Sequence, residues 1–151
     1  TATTKSDETG IVVCGLGVDE RFYVIDDVSG VMSADAWAKS AINAYYKYKA
    51  SRIIAEVNNG GDLVESLLRT IDKNIPYTSV SATRGKLVRA EPISALYEQQ
   101  RVSHLGTFKE LEDQMCSFVG DKSSSSDRLD ALVWAMTELS RSSLSAMWRI
   151  T

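Results

Sequence analysis

Apolar and polar positions change period several times along this chain, and each change marks an element. After a polar, turn-forming start over 1–9, the unbroken run Ile11-Val12-Val13-Cys14-Gly15-Leu16 predicts a buried strand. Gly17-Val18-Asp19-Glu20 turns the chain into a second strand, Arg21-Phe22-Tyr23-Val24-Ile25, closed by Asp26-Asp27 and Ser29-Gly30. Ser33 then reads as the N-cap of a helix with Asp35 in its first turn, because Trp37, Ala41, Ile42, Tyr45 and Tyr48 recur at helical spacing. Short apolar strands are predicted at 53–57 and 77–80. Between them lies a helix over 62–71, whose Leu63, Leu67, Leu68 and Ile71 share one face. Beyond these come a helix over 90–99 with Pro92 in its first turn, an edge strand over 101–104 and an amphipathic helix over 108–118. A serine-rich loop, 121–126, feeds a final helix with Leu129, Leu132, Val133, Met136 and Leu139 on one face. A hairpin followed by alternating helices and strands predicts a mixed sheet packed between helices, an α/β architecture.

Composition narrows the class. With 151 residues, 44% hydrophobic and 25% charged, the chain fits one domain with one sizeable core. No apolar run approaches the roughly 18 residues of a membrane span, and the N-terminus carries no signal-like segment, so the expected compartment is cytosolic. A net charge of −3 excludes a uniformly basic nucleic-acid coat but leaves room for a local basic cleft. Cys14 and Cys116 fall in apolar patterns without metal-ligand spacing, and read as two buried free thiols. His104 stands alone, a strand-end polar residue without triad or zinc partners.

The chemistry-bearing residues are acids. Glu56 closes the strand over 53–57 and precedes the turn Asn58-Asn59-Gly60-Gly61-Asp62. Asp127 and Asp130 stand one turn apart at the start of the last helix, in Ser126-Asp127-Arg128-Leu129-Asp130-Ala131-Leu132-Val133-Trp134-Ala135. A strand-end acid and a helix-start acid can converge, and oxygen-rich clusters hold hard divalent cations. The bland alternatives are a solvated strand end for Glu56 and a helix-dipole role for Asp127. Asp130 flanks the apolar stripe, so a partly buried carboxylate there needs a partner. Lys86 and Arg89, with Arg84, form a basic cluster suited to phosphate contact or to plain solvation. Trp37 and Trp134 read as core.

Read in order, 7–13, Ala55-Glu56-Val57-Asn58-Asn59-Gly60-Gly61-Asp62, Arg84-Gly85-Lys86, Glu112-Asp113-Gln114-Met115 and Asp127 to Ala135 resemble the C-terminal nuclease domain of the large terminase subunit of tailed phages or prophages. That domain belongs to the RNase H-like superfamily. The resemblance implies an RNase H-like mixed β-sheet flanked by helices on both faces over 1–143, with 144–151 as a tail. It implies a metal-dependent endonuclease cutting concatemeric double-stranded DNA during genome packaging, with two Mg²⁺ or Mn²⁺ ions held by Glu56, Asp127 or Asp130 and an aspartate upstream. Asp7 lies where the family often has an auxiliary acid, with a turn former or cap as the alternative; Lys86, Arg89 and Arg84 could neutralise DNA phosphates, and Asn58 could orient a ligand or simply hold the turn. Partners implied are an upstream ATPase domain of the same polypeptide, a small terminase subunit and a portal protein, in the cytoplasm of a bacterial host, with no membrane role.

Two departures from the pattern stand out. Related helices begin with two adjacent acids, whereas Ser126 holds the first of those positions, so the order of Asp127 and Asp130 as ligands stays open. Related proteins also carry an upstream strand ending in Asp-Pro, and Thr1-Ala2-Thr3-Thr4 resembles the segment just after it, so the first strand and its acid are expected to be missing here. The rival readings are an incomplete RNase H-like module that binds DNA or portal without cutting, and another RNase H-like nuclease such as a junction resolvase. No Walker A motif occurs in the chain.

Overall fold

The computed structural model describes residues 8–57, 63–118 and 126–141. The hairpin comes first: β1 (Val12–Leu16) pairs antiparallel with β2 (Phe22–Asp27), with a register shift between Val13 and Cys14. Then follow α1 (Ala34–Lys47), β3 (Ile53–Glu56), α2 (Leu63–Ile71), β4 (Tyr77–Val80), α3 (Lys86–Glu98), β5 (Val102–His104), α4 (Lys109–Ser117) and α5 (Asp127–Arg141). The strands form two sheets. One has the order β1-β2-β5, with β5 parallel to β2; the other pairs β3 and β4 in parallel. This is the mixed α/β architecture expected from the alternation of elements.

Local chemistry explains most boundaries. Ser33 caps α1 by accepting a hydrogen bond from the Ala36 N–H at 3.2 Å. Both α1 and α3 end in a paired-hydrogen-bond turn on a left-handed residue, Lys49 (φ 54°) and Gln100 (φ 58°). In the first, Ala50 N–H reaches back to the Tyr45 carbonyl; in the second, Arg101 N–H reaches Leu96. Each turn delivers the chain directly into the next strand.

Two expectations need correction. The third helix starts at Lys86, and Pro92 lies in its interior rather than in its first turn. Its N-cap, Gly85, contributes no side-chain hydrogen bond, so no capping residue marks the start. The thiols are not both buried: Cys116 is exposed, because α4 turns Leu111 and Met115, not Cys116, toward the core. Cys14 packs against the core, and burial pushes its thiol pKa far up. No described helix is long and apolar enough to cross a membrane. The expected boundary at 143, the tail 144–151 and most of the serine loop lie outside the described residues.

Successive residues of a strand face opposite ways, and β1 shows it. Val12, Cys14 and Leu16 join a core with Phe22, Val24, Ile93, Leu111, Leu132 and Met136, covered by α3, α4 and α5. Ile11, one step out of phase, joins a second core made by α1, α2 and the β3 side, including Ile42, Leu68 and Ile75. Each such buried aliphatic side chain contributes about 1.5–3 kcal/mol. α5 touches β1, β2, β3, α3 and α4, and so ties the two sheets together.

The first turn of α5 is anchored by charge. Arg128, with a side chain 11% exposed, donates to Glu8 at 2.8 Å and to Asp27 at 2.7 Å. Burial alone would lower the Arg128 pKa, but these hydrogen bonds overcome it and hold it raised. The backbone of Gly10 lies against the same turn so closely that a Cβ there would fall 2.1 Å from the Asp127 carbonyl oxygen. Gly10→Ala is therefore expected to push α5 off β1 and to cost about 1–3 kcal/mol, the usual range for overpacking. Urea denaturation measures it; an unchanged midpoint would show that the contact relaxes freely.

Candidate functional site

Glu56 is the last residue of β3, and its Oε1 accepts a hydrogen bond from Trp134 Nε1 of α5 at 3.0 Å. At the other end of the strand, Arg52 pairs with Glu138 of α5 at 3.4 Å. α5 therefore runs antiparallel along β3, and its N-terminal residues project past the strand's C-terminal end. Asp130 lies one turn before Trp134, about 6 Å along the axis, and Asp127 about 4.5 Å further at 1.5 Å per residue. Glu56, Asp127 and Asp130 all line one cavity of about 950 Å³. The structure thus brings the strand acid and the two helix acids to the same cavity. Glu8 lines it too, although its carboxylate is engaged with Arg128 and Gln114.

Trp134, expected as plain core, is half-buried with its indole N–H directed at the candidate acid. A buried or half-buried indole N–H needs an acceptor, and the spacing of Trp134 from Asp130 was the available signal. Asp130 has the partner its position demands. Lys86 Nζ lies 3.0 Å from Asp130 Oδ2 and donates to Ser126 Oγ at 3.0 Å, while the Ser126 hydroxyl donates to Asp130 at 3.3 Å. Three residues along α3, the Arg89 guanidinium stacks 5.0 Å from the Trp134 ring centre and donates to the Arg84 carbonyl at 2.7 Å. Arg89 Nε is buried with no hydrogen-bond partner among the described residues. The basic cluster accordingly touches the acidic one. Asp7 and Asn58 lie outside the described residues.

The cavity has the shape of a slot between two sheet edges. Among the described residues β1 is hydrogen-bonded only to β2, and β3 only to β4. Val12 to Gly15 and Ile53 to Glu56 are consecutive residues that all line the cavity. Side chains of neighbouring strand residues point to opposite faces, so a lining of consecutive residues means the cavity meets both strands edge-on, at their unpaired N–H and C=O groups. Trp37 and Tyr45 of α1 and Ala131 and Trp134 of α5 close it above and below.

Carboxylate oxygens are suitable donors for a hard cation. Their number falls short: among the described residues no group of three His, Cys, Asp or Glu side chains stands close enough to hold a metal ion.

Reading the sequence missed Gln114, and it matters to the geometry. From α4, its Oε1 accepts the N–H groups of Arg128 (3.0 Å) and Leu129 (3.1 Å), and its Nε2 donates to Glu8 (3.2 Å). It caps α5 from another helix, where nothing in local sequence announces a cap. α4 is itself held by His104, whose Nδ1 meets Glu112 at 2.9 Å while Nε2 meets Tyr97 at 2.6 Å. The hydrogen bond from His104 holds the Glu112 carboxyl below its ordinary range. His104 is thus a structural linker of α3, β5 and α4, two strands away from the slot.

The family model described as "Terminase RNaseH-like domain" matches residues 1–139. No curated protein and no solved structure matches the chain.

Gln114→Ala is expected to cost about 1 kcal/mol, the usual loss of a helix cap, and to speed hydrogen exchange of the Arg128 and Leu129 amides selectively. Unchanged protection of those two amides would show that Gln114 does not hold the turn carrying Asp127 and Asp130.

Proposed function

Because the chain belongs to the terminase RNaseH-like domain family, we propose that it is the metal-dependent DNA-cutting domain of a viral packaging terminase. The observation that carries this reading is the convergence of Glu56, Asp127 and Asp130 on one cavity with Lys86 and Arg89 beside them. Acids that accept a hard cation next to cations that accept a phosphate suit hydrolysis of a phosphodiester. The substrate is double-stranded DNA, and the working partners are an ATPase domain, a small terminase subunit and a portal protein. Glu56 and Asp127 are the proposed ligands, and Asp7 an auxiliary acid.

The slot suits a further strand that brings a donor with it. An apolar strand laid between β1 and β3 would satisfy both open edges and join the two sheets, and an aspartate at its end would stand beside Glu56 as a third carboxylate. Trp134 orients Glu56 through its indole N–H, and Gln114 fixes the turn that carries Asp127. When bound, divalent ions supply water activation and charge neutralisation at the phosphate. A second reading, a DNA- or portal-binding module without cutting, is favoured by the shortage of grouped acids among the described residues.

Plasmid cutting separates the two. A form in which an apolar strand ending in aspartate occupies the slot is expected to nick plasmid DNA in Mg²⁺ or Mn²⁺ without sequence preference. Glu56→Ala in that form should lower the rate by about 10²-fold or more, on the scale of losing one group acting on the transition state, with the circular dichroism spectrum unchanged. Cutting that survives EDTA or Glu56→Ala contradicts the nuclease reading. DNA binding without cutting in the strand-bearing form supports the binding module.

Phosphate contact by the basic cluster has its own signature. Lys86→Ala is expected to weaken DNA binding equally across sequences and to flatten the dependence of log K on log salt by about 0.9. An unchanged slope would leave Lys86 without a phosphate role.

A further inference from the structure

The disagreement between donor chemistry and donor number is sharpest at Asp130, where a cation is already present: the Lys86 ammonium. Its Nζ is 3.0 Å from Asp130 Oδ2 and 3.0 Å from Ser126 Oγ. Ser126 is 5% exposed, and its hydroxyl both accepts from Lys86 and donates its one proton to Asp130. The Asp130 side chain is only 24% exposed, which limits what solvent can do to replace the ammonium. Ser126 adds an oxygen but no charge. The local sum is one negative and one positive group, already balanced, and a divalent ion brought to the same carboxylate would meet the ammonium as a like charge at close range.

We propose that Lys86 is an internal counter-cation that competes with a divalent ion for the Asp130 carboxylate. While Lys86 holds it, the Asp130 carboxylate would not be available as a ligand. The lysine acts as a built-in restraint on cation uptake, and the stem of Lys86, with its side chain 41% exposed, leaves it free to swing to another anionic partner. This inference rests on the metal-dependent reading proposed above.

The test is Mn²⁺ binding, counted by the electron paramagnetic resonance signal of free Mn²⁺, with thermal unfolding confirming that each variant is folded. Lys86→Met is expected to bind Mn²⁺ about fivefold or more tightly than the unaltered chain, the lower end of measured couplings between ligands. Lys86→Gln, equally uncharged, should show the same gain, and Lys86→Arg, which keeps the charge, should show none. The gain should vanish when Lys86→Met is combined with Asp130→Asn. A gain in Lys86→Arg, no gain in either uncharged variant, or a gain that persists without the Asp130 charge overturns the proposal. Mn²⁺ binding that Glu56→Ala abolishes and Lys86→Met leaves unaltered would overturn this inference alone. Absence of binding to every variant would bring down the metal-dependent reading and this inference with it.

Discussion

The first turn of α5 is held by three contacts that originate in three different parts of the chain. Arg128 is clasped by Glu8 and Asp27, Gln114 of α4 accepts the Arg128 and Leu129 amides, and Gly10 allows the chain to lie against the Asp127 carbonyl. With Asp27 4% exposed, loss of Arg128 would leave the Asp27 carboxylate buried without a cation, a defect of about 3–5 kcal/mol. The position of this turn fixes everything downstream on the helix: Asp127 and Asp130 over the cavity, Trp134 on Glu56, and Glu138 on Arg52. Because α5 also touches both sheets, the anchoring of one turn sets the relation of the site's acids to each other.

A second constraint is the split between the sheets. Among the described residues β1 and β3 each present an unpaired edge to the same slot, and α1 and α5 line it. The helices around the slot are placed by two cores built on separate residue sets, Leu132 and Met136 in one and Leu68 and Ile75 in the other.

What could be read from sequence follows the range of the interactions responsible. The hairpin, Ser33 as a cap and the strand at 77–80 depend on neighbouring residues, and their patterns pointed to them. Glu56, Asp127 and Asp130 stood out because a strand end and a helix start are local signals, and their meeting on one cavity followed from topology. Other features were hidden because their causes lie far along the chain. Gln114 caps a helix it does not belong to, Lys86 is bound to Asp130 across 44 residues of sequence, and Trp134 turned from core residue to hydrogen-bond donor only through Glu56. The start of α3 was missed for the opposite reason, since Gly85 offers no side chain to signal it.

The central claim is that acids from β3 and α5 converge on one cation position beside the slot. Paramagnetic broadening of backbone amide resonances by substoichiometric Mn²⁺ tests it most directly, since broadening falls off steeply with distance from the ion. The account predicts early loss of the Glu56, Asp127 and Arg128 signals while His104 and Glu112, beyond β1 and β2, stay sharp. Broadening centred on His104 and Glu112, or spread evenly over the chain, would contradict it.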